Sequence, residues 1–329
     1  RDCRTVSPFC RSAAGAFAGV LILLGFAVAG VVPARGAADF GMRAEPVADG
    51  VYAIVTPSRN FPDADNRGWN SNSGFVVTGA GVLLFDSGSS EAIGRAILET
   101  IAAVTDRPVR WVVNSHAHGD HWLGNAAFAG EGVEIISTST VRNAIRIGGR
   151  SWVQQFNAMT GGATGESRVV APDRLIDERT VLDLGGTEVV LFPSNDSHSP
   201  GDIILWLPRQ RVLMTGDVVY VNRMPSTFAS NLRAWLAMLD QLEGLDPVAV
   251  IPGHGDLTDR AGLEQLHQLL AAFWQAVETG YAAGKADFEM LADVTAALEP
   301  YREQYPGMGE KLSRDISHVY LQVERAAFD

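Results

Sequence analysis

The segment His116-Ala117-His118-Gly119-Asp120-His121 places three imidazoles and a carboxylate within six residues of a chain that has only seven histidines. It follows the apolar run Val109–Val113, whose composition predicts a buried strand. Imidazole and carboxylate are the usual ligands of catalytic zinc, and such sites keep one coordination position open for water. The segment therefore predicts a metal site at the end of a strand.

Three more candidate ligands lie downstream, each beside a strand-like apolar run. They are His198 in Asn195-Asp196-Ser197-His198-Ser199-Pro200-Gly201-Asp202, Asp217 in Met214-Thr215-Gly216-Asp217, and His254 in Ile251-Pro252-Gly253-His254-Gly255. In open α/β sheets, ligands collect beyond the ends of the strands. We therefore expect four segments that are distant in sequence to converge on one cleft.

Together these motifs resemble those of the metallo-β-lactamase fold superfamily of dinuclear metallohydrolases. The resemblance rests on H-x-H-x-D-H at 116–121, H-S-P-G at 198–201, G-D at 216–217 and P-G-H at 252–254, and it covers roughly residues 47–257. The combined pattern is far more specific than any one of its parts. It implies an α/β fold, an αββα sandwich of the metallo-β-lactamase type, which is followed here by a helical C-terminal extension.

The resemblance also implies roles for single residues. The implied metal ligands are His116, His118 and His198 for one ion, Asp120, His121 and His254 for a second, and Asp217 for both. Asp86, in Leu84-Phe85-Asp86-Ser87-Gly88, would orient ligands from behind; a turn aspartate after a buried strand is the alternative. The implied cofactors are two Zn²⁺ ions per chain, with iron or manganese as alternatives, because the same ligands accept each of them.

The implied reaction is hydrolysis of a small-molecule acyl substrate (an ester, thioester, lactone or amide) by a hydroxide that bridges the metals. Asp120 would orient the nucleophile or handle its proton. Asp217 favours thioesterase-like and lactonase-like members, because the major zinc β-lactamases carry another residue there; β-lactamase activity is an alternative. Tyr220 has the spacing of a carbonyl-binding tyrosine in some lactonases, or packs on a strand. Arg223 is a candidate for binding a substrate carboxylate, or an ordinary surface residue.

Weaker similarities favour one exported branch of the superfamily, the SoxH-like or quinoprotein-relay zinc metallohydrolases. They lie at residues 105–110, 124–128 and 236–240. Two rivals from other classes are a mono-iron sulfur dioxygenase on the same ligands and a non-catalytic accessory protein of a periplasmic redox system. Metal analysis separates the first rival from a zinc enzyme, and turnover separates the second.

The N-terminal sequence predicts a targeting segment over residues 1–38. Arg1, Arg4 and Arg11 precede an uncharged stretch over 12–32, and small residues follow at 36–38. This order is typical of a secretory signal peptide; an uncleaved membrane anchor is the alternative, because the apolar stretch is nearly long enough to span a bilayer. We expect a periplasmic or secreted protein, with a metallo-β-lactamase-like domain over 39–258 and a helical extension over 259–329.

The composition of the chain argues against some classes of binding partner and metal ligand. The net charge of −12 argues against a nucleic-acid partner, which would need basic surface to neutralise phosphates. Contact with a membrane is expected only through an uncleaved N-terminal segment, and the sequence does not define the oligomeric state. Both cysteines, Cys3 and Cys10, fall in that segment, so residues 39–329 have neither a disulfide nor a thiolate ligand. His267 and His318 have no ligand-like neighbours, which predicts surface or core roles.

Local patterns predict the elements around the motifs. We expect a first strand over 47–55, with Asp49-Gly50 as a turn nearby, and a loop over 60–72. We also expect a hairpin around 78–80 and a helix from Ser89-Ser90-Glu91 to about 104 with a serine N-cap. Another helix should begin at 125–128, and helices should follow residue 260. Residues 148–169 predict either a flap near the cleft or a helix and loop that cover the core.

Overall fold

Two β-sheets pack face to face at the centre of the computed structural model, which describes residues 40–328. The predicted targeting segment lies outside the described residues. The first sheet contains, in spatial order, β1 (Glu45–Ala48), β2 (Val51–Ile54), β3 (Ser73–Thr78), β4 (Gly81–Phe85), β5 (Val109–Val113), β6 (Glu134–Ser137) and β7 (Arg174–Leu175). The second contains β12 (Ala249–His254), β11 (Val212–Tyr220), β10 (Ile203–Leu207), β9 (Glu188–Pro193) and β8 (Thr180–Asp183).

Side-chain alternation along the strands explains why each sheet is covered on both faces. In β10, Ile203, Leu205 and Leu207 pack between the two sheets, whereas Ile204 and Trp206 pack against helices on the outside. Successive residues of a strand point to opposite faces, so a strand that is apolar throughout must be buried on both sides. All five residues of β10 are buried.

Helices form the two outer layers. They are α1 (Glu91–Ala102), α2 (Gly119–Trp122), α3 (Ser139–Met159), α4 (Leu232–Glu243), α5 (Arg260–Ala282), α6 (Leu291–Leu298) and α7 (Met308–Ala326). Short 3-10 helices occupy Leu123–Ala127, Asp287–Glu289 and Glu299–Tyr301. Helix α1 covers the first sheet, and α4 to α7 share a core with the second. The predicted α/β class with two sheets and a helical C-terminal segment is confirmed. No helix within residues 40–328 is long and apolar enough to cross a membrane.

Two predicted elements differ from the structure. The strand predicted over 47–55 is divided into β1 and β2 at the predicted Asp49-Gly50 turn, where Gly50 has a φ of +70°. The helix predicted from 125–128 is the 3-10 segment Leu123–Ala127. The side chain of Asn125 bonds to Ser87 and Asn114, which fixes this short segment against the ends of two strands.

The other local predictions agree with the structure. Ser90 caps α1, because its hydroxyl accepts a hydrogen bond from the Ile93 amide at 3.2 Å. Residues 148–169 contain the second half of α3, followed by turns and a loop. This half of α3 carries Trp152 and Phe156 to the edge of the cleft described below.

Helix α1 approaches the 3-10 segment closely at a glycine, which gives a paired prediction. A Cβ on Gly94 would lie 2.5 Å from the carbonyl oxygen of Gly124, so Gly94→Ala should lower the free energy of unfolding by about 1–3 kcal/mol. At Gly148, within α3, a Cβ would meet nothing within 4 Å. Gly148→Ala should therefore raise the free energy of unfolding by about 0.5–1 kcal/mol, because alanine favours the helix more than glycine does. Urea unfolding checks both; equal effects of the two substitutions would contradict the close approach.

Candidate metal centre

The seven candidate ligands lie where strands of the two sheets end. The first motif runs from the loop after β5 into α2, and His198 lies in the loop between β9 and β10. Asp217 lies within β11, and His254 is the last residue of β12. The structure brings all seven together in two adjoining groups, within each of which the candidate ligand atoms lie within 4.8 Å of one another.

The first group consists of three imidazoles and one carboxylate oxygen. His118 Nδ1 lies 2.9 Å from His116 Nε2 and 3.1 Å from His198 Nε2. Asp217 Oδ2 lies 3.7 Å from His116 Nε2 and 3.6 Å from His198 Nε2. Four donor atoms thus surround one point.

The second group is built on the other oxygen of the same aspartate. Asp217 Oδ1 lies 3.2 Å from His121 Nε2 and 3.3 Å from His254 Nε2. Asp120 Oδ2 lies 3.3 Å from His254 Nε2 and 3.7 Å from His121 Nε2. Asp217 therefore joins the two groups, with one oxygen facing each.

The spacing and the state of these atoms fit metal ions. Ligand bonds of about 2.0–2.1 Å in a tetrahedral site put neighbouring donor atoms about 3.3 Å apart, close to the separations found here. His121 Nε2 and Asp217 Oδ1 are buried and have no hydrogen-bond partner in the described part of the chain. Buried polar atoms without a partner are costly, and two such atoms 3.2 Å apart suit a cation held between them.

Asp86 sits behind both groups. It follows β4 with a φ of +63°, and its Oδ2 accepts hydrogen bonds from His121 Nδ1 and Ser115 Oγ, each at 2.8 Å. Ser115 Oγ in turn lies 2.9 Å from His116 Nδ1, which can donate to it. One carboxylate thus fixes the Nδ1–H tautomer of an imidazole in each group, directly or through Ser115, and leaves both Nε2 lone pairs facing the centre.

Asn70 holds the second group from the side of the cleft. Its carbonyl oxygen lies 2.7 Å from His254 Nδ1, and because a carbonyl can only accept, that nitrogen donates. Its side-chain Nδ2 donates to Asp120 Oδ2 at 3.0 Å. Next to it, Ser71 Oγ donates to the Asp120 carbonyl at 2.6 Å. No local sequence signal indicates this role of Asn70, because the composition of residues 60–72 predicts only a polar loop.

The loop that carries His198 is fixed by a buried aspartate. Asp202 accepts from Ser197 Oγ, from Ser199 Oγ and from the Ser199 amide at 2.5–2.9 Å. Burial raises the pKa of the Asp202 carboxyl to about 7. The His198 ring packs edge-on against Trp235, with ring centroids 5.2 Å apart. Trp235 is itself anchored by a hydrogen bond to the Val218 carbonyl at 2.8 Å.

The electrostatics of the first group favour neutral imidazoles around an ionised carboxylate. Burial lowers the pKa of His198 to about 3 and also lowers the pKa values of His116 and His118. Burial would raise the pKa of Asp217, but the imidazoles of His254 and His121 outweigh it and hold the pKa well below its usual value. Metal ligands must be in these deprotonated states.

In the second group the carboxylates dominate. Burial lowers the pKa of His121 and His254, but the neighbouring carboxylates, Asp217 foremost and Asp120 with it, together outweigh burial and raise the pKa of both imidazoles. Burial would raise the pKa of Asp120, whereas the charges of His121 and His254 lower it. A cation entering this group would therefore displace protons from imidazoles that are already held by carboxylates.

A cavity of about 190 Å³ opens onto the two groups. Its floor includes Asp120 and Asp217, and its lining residues also include Phe61, Asn70, Trp152, Phe156, Met159, Tyr220, Arg223, Met224 and Lys311. The Tyr220 hydroxyl donates to Asp217 Oδ2, and burial keeps the pKa of Tyr220 well above its usual value, so the hydroxyl retains its proton. Arg223 Nη1 lies 2.9 Å from His254 Nδ1. Since that nitrogen donates to Asn70, it does not also accept from the guanidinium.

The two remaining histidines lie away from the centre. His267 Nδ1 lies 3.0 Å from a Glu243 oxygen, and His318 Nε2 lies 2.9 Å from the Ser230 carbonyl. Neither belongs to a group of metal-ligating side chains within the described residues. Lys311, by contrast, reaches the cleft from α7, which the sequence did not indicate.

Comparison with known proteins places this site in a wider group. A linear primary-alkylsulfatase from Pseudomonas sp. (strain ATCC 19151) is 24% identical over 288 residues, 73% of this chain and 54% of the relative. Metallo-beta-lactamase IND-1 from Chryseobacterium indologenes is 22% identical over 67% of this chain and 89% of its own length. The chain thus spans about half the length of the alkylsulfatase and most of the length of the β-lactamase.

Solved structures with the same fold include the inverting sec-alkylsulfatase Pisa1 from Pseudomonas sp., with a TM-score of 0.65 and 18% identity over 88% of this chain and 52% of that one. A metallo-beta-lactamase from Pontibacter korlensis has a TM-score of 0.56 and 19% identity over 70% of this chain and 99% of that one. The model of the metallo-beta-lactamase superfamily matches residues 66–254, more than half of the chain and all seven candidate ligands. The chain belongs to the metallo-beta-lactamase superfamily.

Proposed function

We propose that the protein is an exported hydrolase in which the seven convergent side chains hold two metal ions, zinc in the native protein. His116, His118 and His198 would hold one ion, Asp120, His121 and His254 the other, and Asp217 both. The observation that carries this assignment is the pair of unpartnered, buried atoms His121 Nε2 and Asp217 Oδ1, 3.2 Å apart. When bound, the ions would lower the pKa of water toward neutrality and polarise the bond to be cleaved.

The chain's own residues would orient the substrate and move the proton. Asp120 Oδ2 is engaged by Asn70, which leaves Asp120 Oδ1 to take a proton from the attacking water. The single Tyr220 hydroxyl hydrogen, which is donated to Asp217 Oδ2 in the structure, would be donated to the substrate carbonyl instead when substrate binds. Arg223 would bind a substrate carboxylate. We infer a small-molecule acyl substrate (an ester, thioester, lactone or amide) and a periplasmic or secreted location. Membership of the SoxH-like branch stays a prediction.

A second candidate is hydrolysis of an alkyl sulfate ester. Similarity to the Pisa1 structure covers 88% of this chain, more than residues 1–258 provide, so it extends into the C-terminal helices. The similarity to the Pontibacter korlensis β-lactamase covers 70%. The two cations that line the cleft, Arg223 and Lys311, also suit an anionic substrate.

Metal content and turnover test the proposal together. The protein as purified should contain two zinc ions per chain by elemental analysis, and the zinc-loaded protein should hydrolyse one of four probes: a lactone, a thioester, a β-lactam or an alkyl sulfate. Chelation and Asp120→Asn should each abolish that turnover. Two ions per chain without turnover of any probe would favour the accessory-protein alternative, and a single bound iron would favour the dioxygenase.

Asp86 provides a test of the metal assignment that does not need the substrate. Asp86 accepts hydrogen bonds from the Ser115 backbone amide, the Ser115 hydroxyl and His121 Nδ1. The asparagine side chain in Asp86→Asn has one acceptor oxygen and cannot accept all three, so the tautomer of His121 is no longer enforced. Metal affinity should fall by about 10–100-fold, measured by competition with a chromogenic chelator. Asp246→Asn is the matched control, because Asp246 is also an aspartate with positive φ, at 53°, but is paired with Arg211. Equal affinities of the two variants would contradict the role of Asp86.

Tyr220→Phe separates catalysis from metal binding. The substitution keeps the ring stacked on His254, with centroids 5.2 Å apart, and removes only the hydroxyl. We expect kcat to fall on the order of 10²-fold, the usual effect of losing a donor to a developing oxyanion, with metal content unchanged. Tyr281→Phe, in the helical extension, should leave kcat unchanged. Loss of metal in Tyr220→Phe would show instead that the hydroxyl serves only to hold Asp217.

A further inference from the structure

Two cations from distant parts of the chain meet on one aromatic ring at the mouth of the cleft. The Arg223 guanidinium carbon lies 4.9 Å from the centroid of the Phe61 ring, and Lys311 Nζ lies 3.9 Å from it. Phe61 belongs to the loop before β3, Arg223 follows β11, and Lys311 lies in the first turn of α7. The C-terminal extension therefore contributes directly to the surface that a substrate meets.

These cations dominate the charge of the cleft. Apart from the candidate metal ligands, Arg223 and Lys311 are the only charged residues among the described residues that line it. A neighbouring cavity of about 460 Å³ shares Phe61, Arg223 and Lys311, and adds Arg59 and Asp63. The whole chain has a net charge of −12 and contains just two lysines, Lys285 and Lys311. The positive charge at this place is therefore opposite in sign to the net charge of the chain.

Several other lining residues of the cleft are apolar. Trp152, Phe156 and Met159 come from α3, and Met224 follows Arg223 along the chain. Phe61 is 47% exposed and Met159 is 37% exposed, so both leave apolar surface in contact with solvent. Apolar surface beside a few placed polar groups is typical of a small-molecule binding site. The lining as a whole matches a molecule that is apolar along most of its length and negatively charged at one point.

The positions of the cations are fixed by the packing of α7. The side chains of His318 and Gln322 both reach the Ser230 carbonyl at 2.9 Å, and the Met224 amide donates to the Pro306 carbonyl. Helix α7 therefore bonds to one end of the segment that follows β11, and Pro306, just before α7, bonds to the other end. Stacking on Phe61 further restricts the two long side chains, which reduces the conformational entropy lost when they bind an anion.

We propose that Lys311, acting with Arg223, is a specificity-determining residue that binds a singly charged oxyanion, a carboxylate or a sulfate-type group, on a substrate whose remainder is apolar. This inference names the substrate class of the proposed hydrolase and therefore rests on that function. Arg223 supplies a planar pair of donors, and Lys311 supplies a compact charge on the adjoining side of the same ring. The apolar body of the substrate packs against Trp152, Phe156 and Met159.

Equilibrium binding tests the proposal without any turnover. Calorimetry would measure the Kd of the zinc-loaded protein for decanoate, for 1-decanesulfonate and for neutral decanamide. Lys311→Met should weaken binding of the preferred anion by about ten-fold and leave decanamide within two-fold, because only a charge-assisted contact is lost. Lys311→Arg should restore most of the affinity, and Lys285→Met, at the only other lysine, should change nothing. The tighter of the two anions identifies the oxyanion.

Lysine acetylation read by mass spectrometry gives a second measurement on the unmutated protein. Saturating 1-decanesulfonate should protect Lys311 several-fold, while Lys285, which pairs with Asp293 at the surface, serves as the internal control. Unchanged anion affinity in Lys311→Met, or equal loss of anion and decanamide binding, overturns the proposal. The two anions, decanoate and 1-decanesulfonate, contain no bond that the proposed hydrolase would cleave. Selective binding of an anion without turnover of any probe would therefore contradict the proposed function alone, and turnover without charge selectivity would contradict this inference alone.

Discussion

The rest of the structure is arranged around a buried carboxylate that faces two groups of imidazoles. Asp217 is 3% exposed, and each of its oxygens lies 3.2–3.7 Å from ring nitrogens of a different group. Removing an ionised carboxylate from water costs several kcal/mol unless positive charge or hydrogen bonds replace the lost solvation. The imidazoles supply part of this compensation, and the donor geometry leaves room for cations to supply the remainder. Four segments, from both sheets, must therefore end at the same place.

The need to bring these ligands together explains the buried polar side chains that surround the two ligand groups. Asp86 fixes one imidazole in each group, Asn70 fixes His254 and Asp120, and Asp202 fixes the loop of His198. Each of these side chains is at least nine-tenths buried and bonds mainly to neighbouring loops. Ring orientation and tautomer decide which nitrogen lone pair faces the centre, so these residues prepare the site before any ion binds. The loops can carry chemistry because the two sheets hold their ends rigidly.

The C-terminal helices have two roles in this arrangement. Their apolar faces complete the core outside the second sheet, with Leu263, Leu266 and Phe273 from α5 and Ile316 and Val319 from α7 fully or almost fully buried. Helix α7 also bonds to the segment that follows β11 and brings Lys311 to the cleft. The packing of α7 that stabilises the second sheet thus also determines where the positive charge of Lys311 lies at the mouth of the cleft.

The motif at residues 116–121 and the downstream histidines and aspartate indicated the metal-ligating residue types from local information, and their resemblance to the superfamily implied the α/β sandwich. Strand and helix patterns worked where periodicity and caps are local, as at Ser90 and β5. Over residues 47–55 they located the Asp49-Gly50 turn but not the pairing of the two strands that it separates. They failed at residues 125–128, where side-chain bonds to distant strands decide the backbone. No local sequence signal marks Asn70, Ser115 or Lys311. Asn70 and Lys311 acquire their roles from residues 50 or more positions away in the chain. Ser115 acquires its role by linking Asp86 to the His116 ring and so determining the tautomer of that ring. The sequence by itself determined which donors are present and in which order; only the tertiary structure decided which lone pairs converge and which charges surround them, because both depend on contacts between residues far apart in the chain.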